Sequence, residues 1–304
     1  NFGNIENINL NQNINIFWGE EKIGQLLNGS SISSPIAEAL NTEYLSSSKK
    51  LLVSAKMQKW IDELIKTQLW PIKEGIDDKL SPNVRAIKYN IFENLGTAPI
   101  DKFSNFLKKM TTDDKSALAK LGIRIGAKYF YIPNFLKKAS IELLAILWCV
   151  YNDFKFDGIL QLPRDGRVSF LPTNEMKNSY WLTIGYLKLK NIALRVDVFE
   201  RIFFIARQKI KSGPFLESAD LMNPVGCTSD QLKDILSYCG FNFLTLSNER
   251  SLFFYESKKI SPKFQKIKSK KIDLGKKTKN KKITNKNKKS PDPNSPFAVL
   301  GKLL

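Results

Sequence analysis

The chain has 304 residues, 42% apolar and 25% charged, the profile of a soluble globular protein long enough to bury a genuine core. It contains no histidine, which excludes catalysis by an imidazole base and most zinc sites. A net charge of +19 points to a polyanionic partner.

The first residue is Asn1, and "NFGNIENINLNQNINIFW" lacks the basic and apolar regions of a signal peptide, so the chain reads as a piece cut from a longer protein. The longest apolar run, Ile141–Tyr151 broken only by Glu142, is far short of the ~20 residues that span a bilayer. Cys149, Cys227 and Cys239 form no CxxC pair, as expected of buried thiols in a reduced, cytoplasmic compartment. Charge is unevenly placed. Residues 258–302 hold 16 Lys and two Asp, hence 16 − 2 = +14, and the remainder carries 32 − 27 = +5. AT-rich codons explain why lysine outnumbers arginine, but not why acids vanish from the tail.

In chain order, "NINIFWGEEKIGQLL" reads as a hairpin: Ile14, Ile16 and Trp18 alternate, and Gly19-Glu20 turns. "SSSKKLLVSAKMQKWIDELIKTQLW" is an amphipathic helix with Leu52, Met57, Trp60, Ile61, Leu64 and Ile65 near one face. "SPNVRAIKYNIFENLG" is a second helix, stopped by Gly96, and "TTDDKSALAKLG" a short third. "KASIELLAILWCVYND" is apolar nearly all round, the mark of a helix buried on most faces. "FDGILQLPRDGRVSFLPTNE" is loop-like with "RDGR" a turn. "YLKLKNIALRV" suggests paired strands, and "DVFERIFFIARQKI" is a helix with Val198, Ile202, Ile205 and Ala206 inward.

Residues 196–256 then give a long helix, a short helix "FLESADLM", a helix "TSDQLKDILSYCG" capped by Thr228 and stopped by Gly240, and two strands, "FNFLTL" and "SLFFYE". That is the order of a winged-helix module. Its third helix carries Asp230, Lys233 and Asp234, with no positive surplus for phosphates, so a packing or protein-contact role is expected. Residues 257–304 have no apolar period and read as a disordered basic tail with a short apolar end, "SPFAVLGKLL". The expected fold class is α+β, mainly helical. It comprises a β-hairpin element at 1–45, a helical accessory domain at 46–195, the winged-helix-like module at 196–256 and the tail.

No GxxxxGK[ST] loop, DExH box or carboxylate pair with metal-ligand spacing occurs, so no catalytic apparatus is visible in the chain itself. The densest segment is "LGIRIGAKYFYIPNFLKKA", residues 121–139. Ile123, Ile125 and Ala127 alternate with Arg124, Gly126 and Lys128, which predicts a half-buried strand extended through Tyr129–Ile132 to Pro133. Arg124, Lys128, Tyr129, Tyr131, Lys137 and Lys138 suit a single-stranded nucleic-acid platform, since bases stack on rings while cations meet phosphates. The same residues equally suit a strand edge in a core. In the tail, Lys258, Lys259, Lys270, Lys271, Lys276, Lys277, Lys281 and Lys282 are candidate backbone contacts.

This segment also carries a resemblance. "LGIRIGAKYFYIPNFLKKASIELLAILW" resembles "GVRxGxYxxYxPxLLKPxxxxLxxLLW" in the C-terminal region of alphaproteobacterial ATP-dependent helicases, which are similar to the mitochondrial degradosome RNA helicase, a DExH enzyme of superfamily two. "INIFWGEEKIGQLLNGSSISSP", "LRVDVFERI", "LMNPVGCTSDQLKDILSYCGF" and "PDPNSPFAVLGKL" resemble further family segments in the same order. One departure is "FLKKA" in place of "LLKP", which predicts an earlier start for the following helix. The resemblance implies an accessory region that binds single-stranded RNA, with ATP and magnesium handled by motor domains upstream of Asn1 and no cofactor in this chain. Two alternatives stand beside it: a non-catalytic module docking a helicase onto a nuclease or ribosome, and a stand-alone basic RNA-binding protein. No membrane partner is expected.

Overall fold

A computed structural model describes residues 7–11, 13–41, 46–70, 80–154, 160–164, 166–172, 176–247 and 250–255. The period-2 alternation near the N-terminus forms β1 (Ile8–Leu10), β2 (Asn15–Trp18), β3 (Glu21–Ser31) and β4 (Ser34–Ala39). They make an antiparallel meander in the order β1-β2-β3-β4. The expected hairpin is β2–β3, with Trp18 opposite Glu21 and Gly19 at φ +63° in the turn. The free edge of β4 is closed by α1 (Ser47–Gln68). Gln58 accepts from the Ala37 N–H at 2.9 Å and donates to the Pro35 carbonyl at 3.1 Å, while Ser54 accepts from the Ala39 N–H. The buried row of α1 is Val53, Met57, Ile61 and Ile65, an unbroken i, i+4 series. Leu52, expected on that face, is 59% exposed because it sits one residue, about 100°, off the row.

Next come α2 (Pro82–Glu93), β5 (Thr97–Pro99), α3 (Ser104–Lys109) and α4 (Thr112–Lys120). Two helix starts share one carboxylate. The Ser81 hydroxyl accepts from the Val84 N–H and donates to Asp114 at 2.6 Å, and Asp114 forms a capping box with Thr111. The chain then forms β6 (Arg124–Ile125) and β7 (Tyr129–Tyr131), in a sheet of order β5-β7-β6. The helix that follows, α5 (Lys138–Tyr151), buries ten residues, Ser140, Ile141 and Leu143–Val150, as its composition predicts. Its first residue, Lys138, replaces the proline of the resembled segment, and Lys137 before it is extended. The first helical position accepts proline without cost, so losing that proline does not move the start of α5 earlier.

After α5, β8 (Ser169–Phe170), α6 (Asn178–Thr183), β9 (Tyr186–Lys188) and β10 (Ala193–Arg195) build a sheet of order β8-β10-β9. Then α7 (Val196–Lys209), β11 (Phe215–Leu216), α8 (Ala219–Met222), α9 (Ser229–Tyr238), β12 (Asn242–Thr245) and β13 (Ser251–Phe254) complete the described chain. The last sheet has the order β11-β13-β12. The sequence pattern predicts two strands here. The third, β11, occupies the start of the segment read as a helix, because Phe215 pairs with Phe253 and packs its ring against it.

Residues Asn1–Glu256 form one compact unit, and Ser257–Leu304, with the expected disorder of that tail, lie outside the described residues. Within the unit are two apolar clusters. The first runs from Ile16 to Tyr186, so the N-terminal meander and the helical region share a core. The second gathers Leu187–Phe253 with Tyr129 buried among them from far upstream, and Tyr131 and Leu136 pack against it. Adjacent residues on β7 and β9 therefore face different cores: Phe130 and Tyr186 the first, Tyr129 and Leu187 the second. The molecule is α+β, its helices joined by four small antiparallel sheets among the described residues.

Candidate nucleic-acid interface

Residues 124–131 form a hairpin, where alternation predicted one continuous strand. Arg124 lies opposite Tyr131, Ile125 opposite Phe130, and the Gly126 N–H donates to the Tyr129 carbonyl at 2.9 Å to close the turn. A carboxylate from the second core holds it. The N–H groups of Ala127, Lys128 and Tyr129 donate to Glu200 on α7 at 2.5, 2.8 and 2.7 Å. Glu200 is 7% exposed. Burial pushes its carboxyl above the ordinary range, and the three N–H donors pull the other way. A charged residue within the apolar row Val196, Phe199, Phe203 was the signal that could have found this clamp.

The turn separates Arg124 from Lys128, so the two do not share one strand face. Tyr129 is a core residue. Its ring meets Phe199 edge-on, its hydroxyl bonds the Tyr238 hydroxyl, and 7% of it is exposed. Burial raises its phenol well above the ordinary value. A ring buried to 7% exposure cannot stack on a base, so Tyr129 leaves the candidate set. Tyr131 is half-buried against the same core, its phenol also raised by burial and by the charges of Asp197 and Glu200.

What the hairpin does offer is cationic. Lys128 Nζ lies 5.8 Å from the centre of the Phe203 ring, and the Arg207 guanidinium lies 5.7 Å from the same ring. Arg207 was not anticipated, because its link to Lys128 exists only through α7. Phe204, the next residue on that helix, is 61% exposed, and Arg124 is exposed at the start of the hairpin. Lys137 and Lys138 are exposed at the start of α5. Lys138 belongs to different surroundings, a small cavity it lines with Glu142, Arg164, Arg167 and Arg195. The eight tail lysines lie outside the described residues.

The expected role of α9 can be set against its contacts. Lys233 pairs with Asp230 at 2.9 Å, and Asp234 accepts from the Asn191 side chain, so its charges are satisfied within the protein. Among the described residues, no group of three or more His, Cys, Asp or Glu side chains is placed to hold a metal ion, and no helix is long and apolar enough to cross a membrane. The three cysteines are free and buried, with burial pushing the thiols of Cys149 and Cys227 up to about 12 and about 11. No protein-family model, curated protein or solved structure matches the chain.

Proposed function

We propose that this chain is the C-terminal, RNA-binding accessory region of an ATP-dependent RNA helicase of the cytoplasm, whose motor domains bind ATP and magnesium upstream of Asn1. The observation that carries the reading is the pair Lys128 and Arg207 flanking Phe203 beside the exposed Phe204. Two cations on the Phe203 ring and an exposed ring at the next helix position suit a single strand, with phosphates on the cations and a base on Phe204. Lys128 lies on the segment 121–139 that carries the sequence resemblance, and Phe203, Phe204 and Arg207 lie on α7. The helix, strand, helix, helix, strand, strand order of 196–254 with sheet order β11-β13-β12 supports a winged-helix reading of the C-terminal module. In this reading the module packs on the hairpin through Glu200 and Tyr129, and the Lys-rich tail adds backbone charge.

A second reading has its own support. Strand β12 is an edge strand exposed at all four residues, with Phe243 40% and Leu244 57% exposed. Such an edge suits a module that docks a helicase onto a nuclease or ribosome. The reading frame upstream of Asn1 tests the class. The proposal requires a phosphate-binding loop and a DExH box there; an initiator Met directly before Asn1 would overturn it.

A further inference from the structure

A cleft of a different kind lies elsewhere in the fold. It has a volume of about 880 Å³ and lies between the loop 161–171, which packs on the first core, and residues 192 and 225–231 of the second. Arg164 and Arg167 line it, joined by a turn in which the Arg167 N–H donates to the Arg164 carbonyl at 3.0 Å. Both side chains are exposed, and neither makes an ion pair with a described residue. Asp165, between them in sequence, lies outside the described residues. No acidic residue lines this cleft among the described residues. The same two arginines also line the smaller cavity that holds Lys138, so the turn presents cations to both.

The chain has eight arginines against forty lysines, and two of those eight stand at the corners of this one turn. A guanidinium forks onto phosphate oxygens with two parallel bonds, which an ammonium cannot do. A β-turn holds its end Cα atoms within about 7 Å, close to the spacing of neighbouring phosphates on one strand. Two further polar side chains of the cleft are committed: the Ser169 hydroxyl donates to the Val225 carbonyl, and the Gln231 side chain is bonded at both ends, to Thr228 and Asn191.

We propose that the cleft at Arg164 and Arg167 is a second binding site for single-stranded RNA, gripping the phosphate backbone without regard to base sequence. The proposal rests on the RNA-binding reading above. Its test is a salt titration of the full chain and of the Arg164→Ala/Arg167→Ala variant on a labelled oligouridine. Losing two phosphate contacts should make the log–log slope shallower by about 1.4, at an unchanged thermal midpoint. The affinity loss between about 50 and about 200 mM salt should then shrink by about sevenfold. Photocrosslinking of the unmutated chain to 4-thiouridine RNA should place adducts within 161–171 or 225–231. If the unmutated chain binds RNA but slopes stay parallel and no adduct maps there, the cleft proposal alone falls. If the unmutated chain binds no RNA, both readings fall together. If a polyglutamate peptide, and not the RNA, loses binding in the variant, the cleft belongs to an acidic protein and the proposal is overturned.

Discussion

A Cβ on Gly126 would lie 2.7 Å from both carboxylate oxygens of Glu200. Gly126 does not adopt a positive φ, so alanine is allowed there by the backbone and forbidden only by Glu200. The two residues should therefore be coupled. Gly126→Ala alone and Glu200→Ala alone should each destabilise by about 2–4 kcal/mol, the first by a clash and the second by stranding three N–H groups. The double variant should cost less than their sum by at least ~1 kcal/mol, because the clash disappears with the carboxylate. Denaturant unfolding of the four proteins measures this; strict additivity would mean the clamp is not what requires glycine.

The shared helix cap gives a pH signature. Asp114 is held below the ordinary carboxylate range, first by the Ser81 hydroxyl and then by the Thr111 N–H. A lowered carboxyl stabilises the fold above its unfolded pKa, near 3.8, and that stability is lost as pH falls through the folded value. Asp114→Asn should accordingly melt earlier than the unmutated chain at about pH 7, and the gap should narrow as pH falls below the ordinary carboxylate range. Paired thermal melts across that range check it, and a gap that widens in acid would refute the assignment.

Much of this architecture was legible beforehand, and the failures share a cause. The capping patterns Thr111-x-x-Asp114 and Thr228-x-x-Gln231 mark helix starts using only neighbouring residues, and both caps form. The all-round apolar run of α5 likewise declares its burial. At residues 124–131 the alternation was real but ran through a turn, because the group that bends the chain, Glu200, comes more than 70 residues later. Tyr129 looked like a stacking ring for the same reason: its partners Phe199 and Tyr238 are distant in sequence. Strand β11 exists only because β13 is there to pair with it. Local pattern cannot report such partners. Of the candidate site, the cation Lys128 was readable and its companion Arg207 was not.

The tail supplies a prediction from charge alone. Deleting residues 257–290 removes 15 lysines and leaves the compact unit Asn1–Glu256 whole. If about five of those lysines meet a single strand, their share of the log–log salt slope is about −3.5. Raising salt from about 50 to about 200 mM would then cost the full chain roughly a hundredfold in affinity beyond the loss in the truncated one. Parallel slopes would mean the lysines serve solubility only.

The most direct test of RNA binding by the hairpin and α7 uses three full-length proteins on one unstructured RNA: unmutated, Lys128→Ala/Arg207→Ala, and Tyr129→Phe. Tyr129→Phe removes the bond to Tyr238, so it should lower stability by about 1 kcal/mol and leave the salt slope alone. Lys128→Ala/Arg207→Ala should keep the fold and make the slope shallower by about 1.4. Parallel slopes for the unmutated chain and the cation variant, with both folded, would contradict the account.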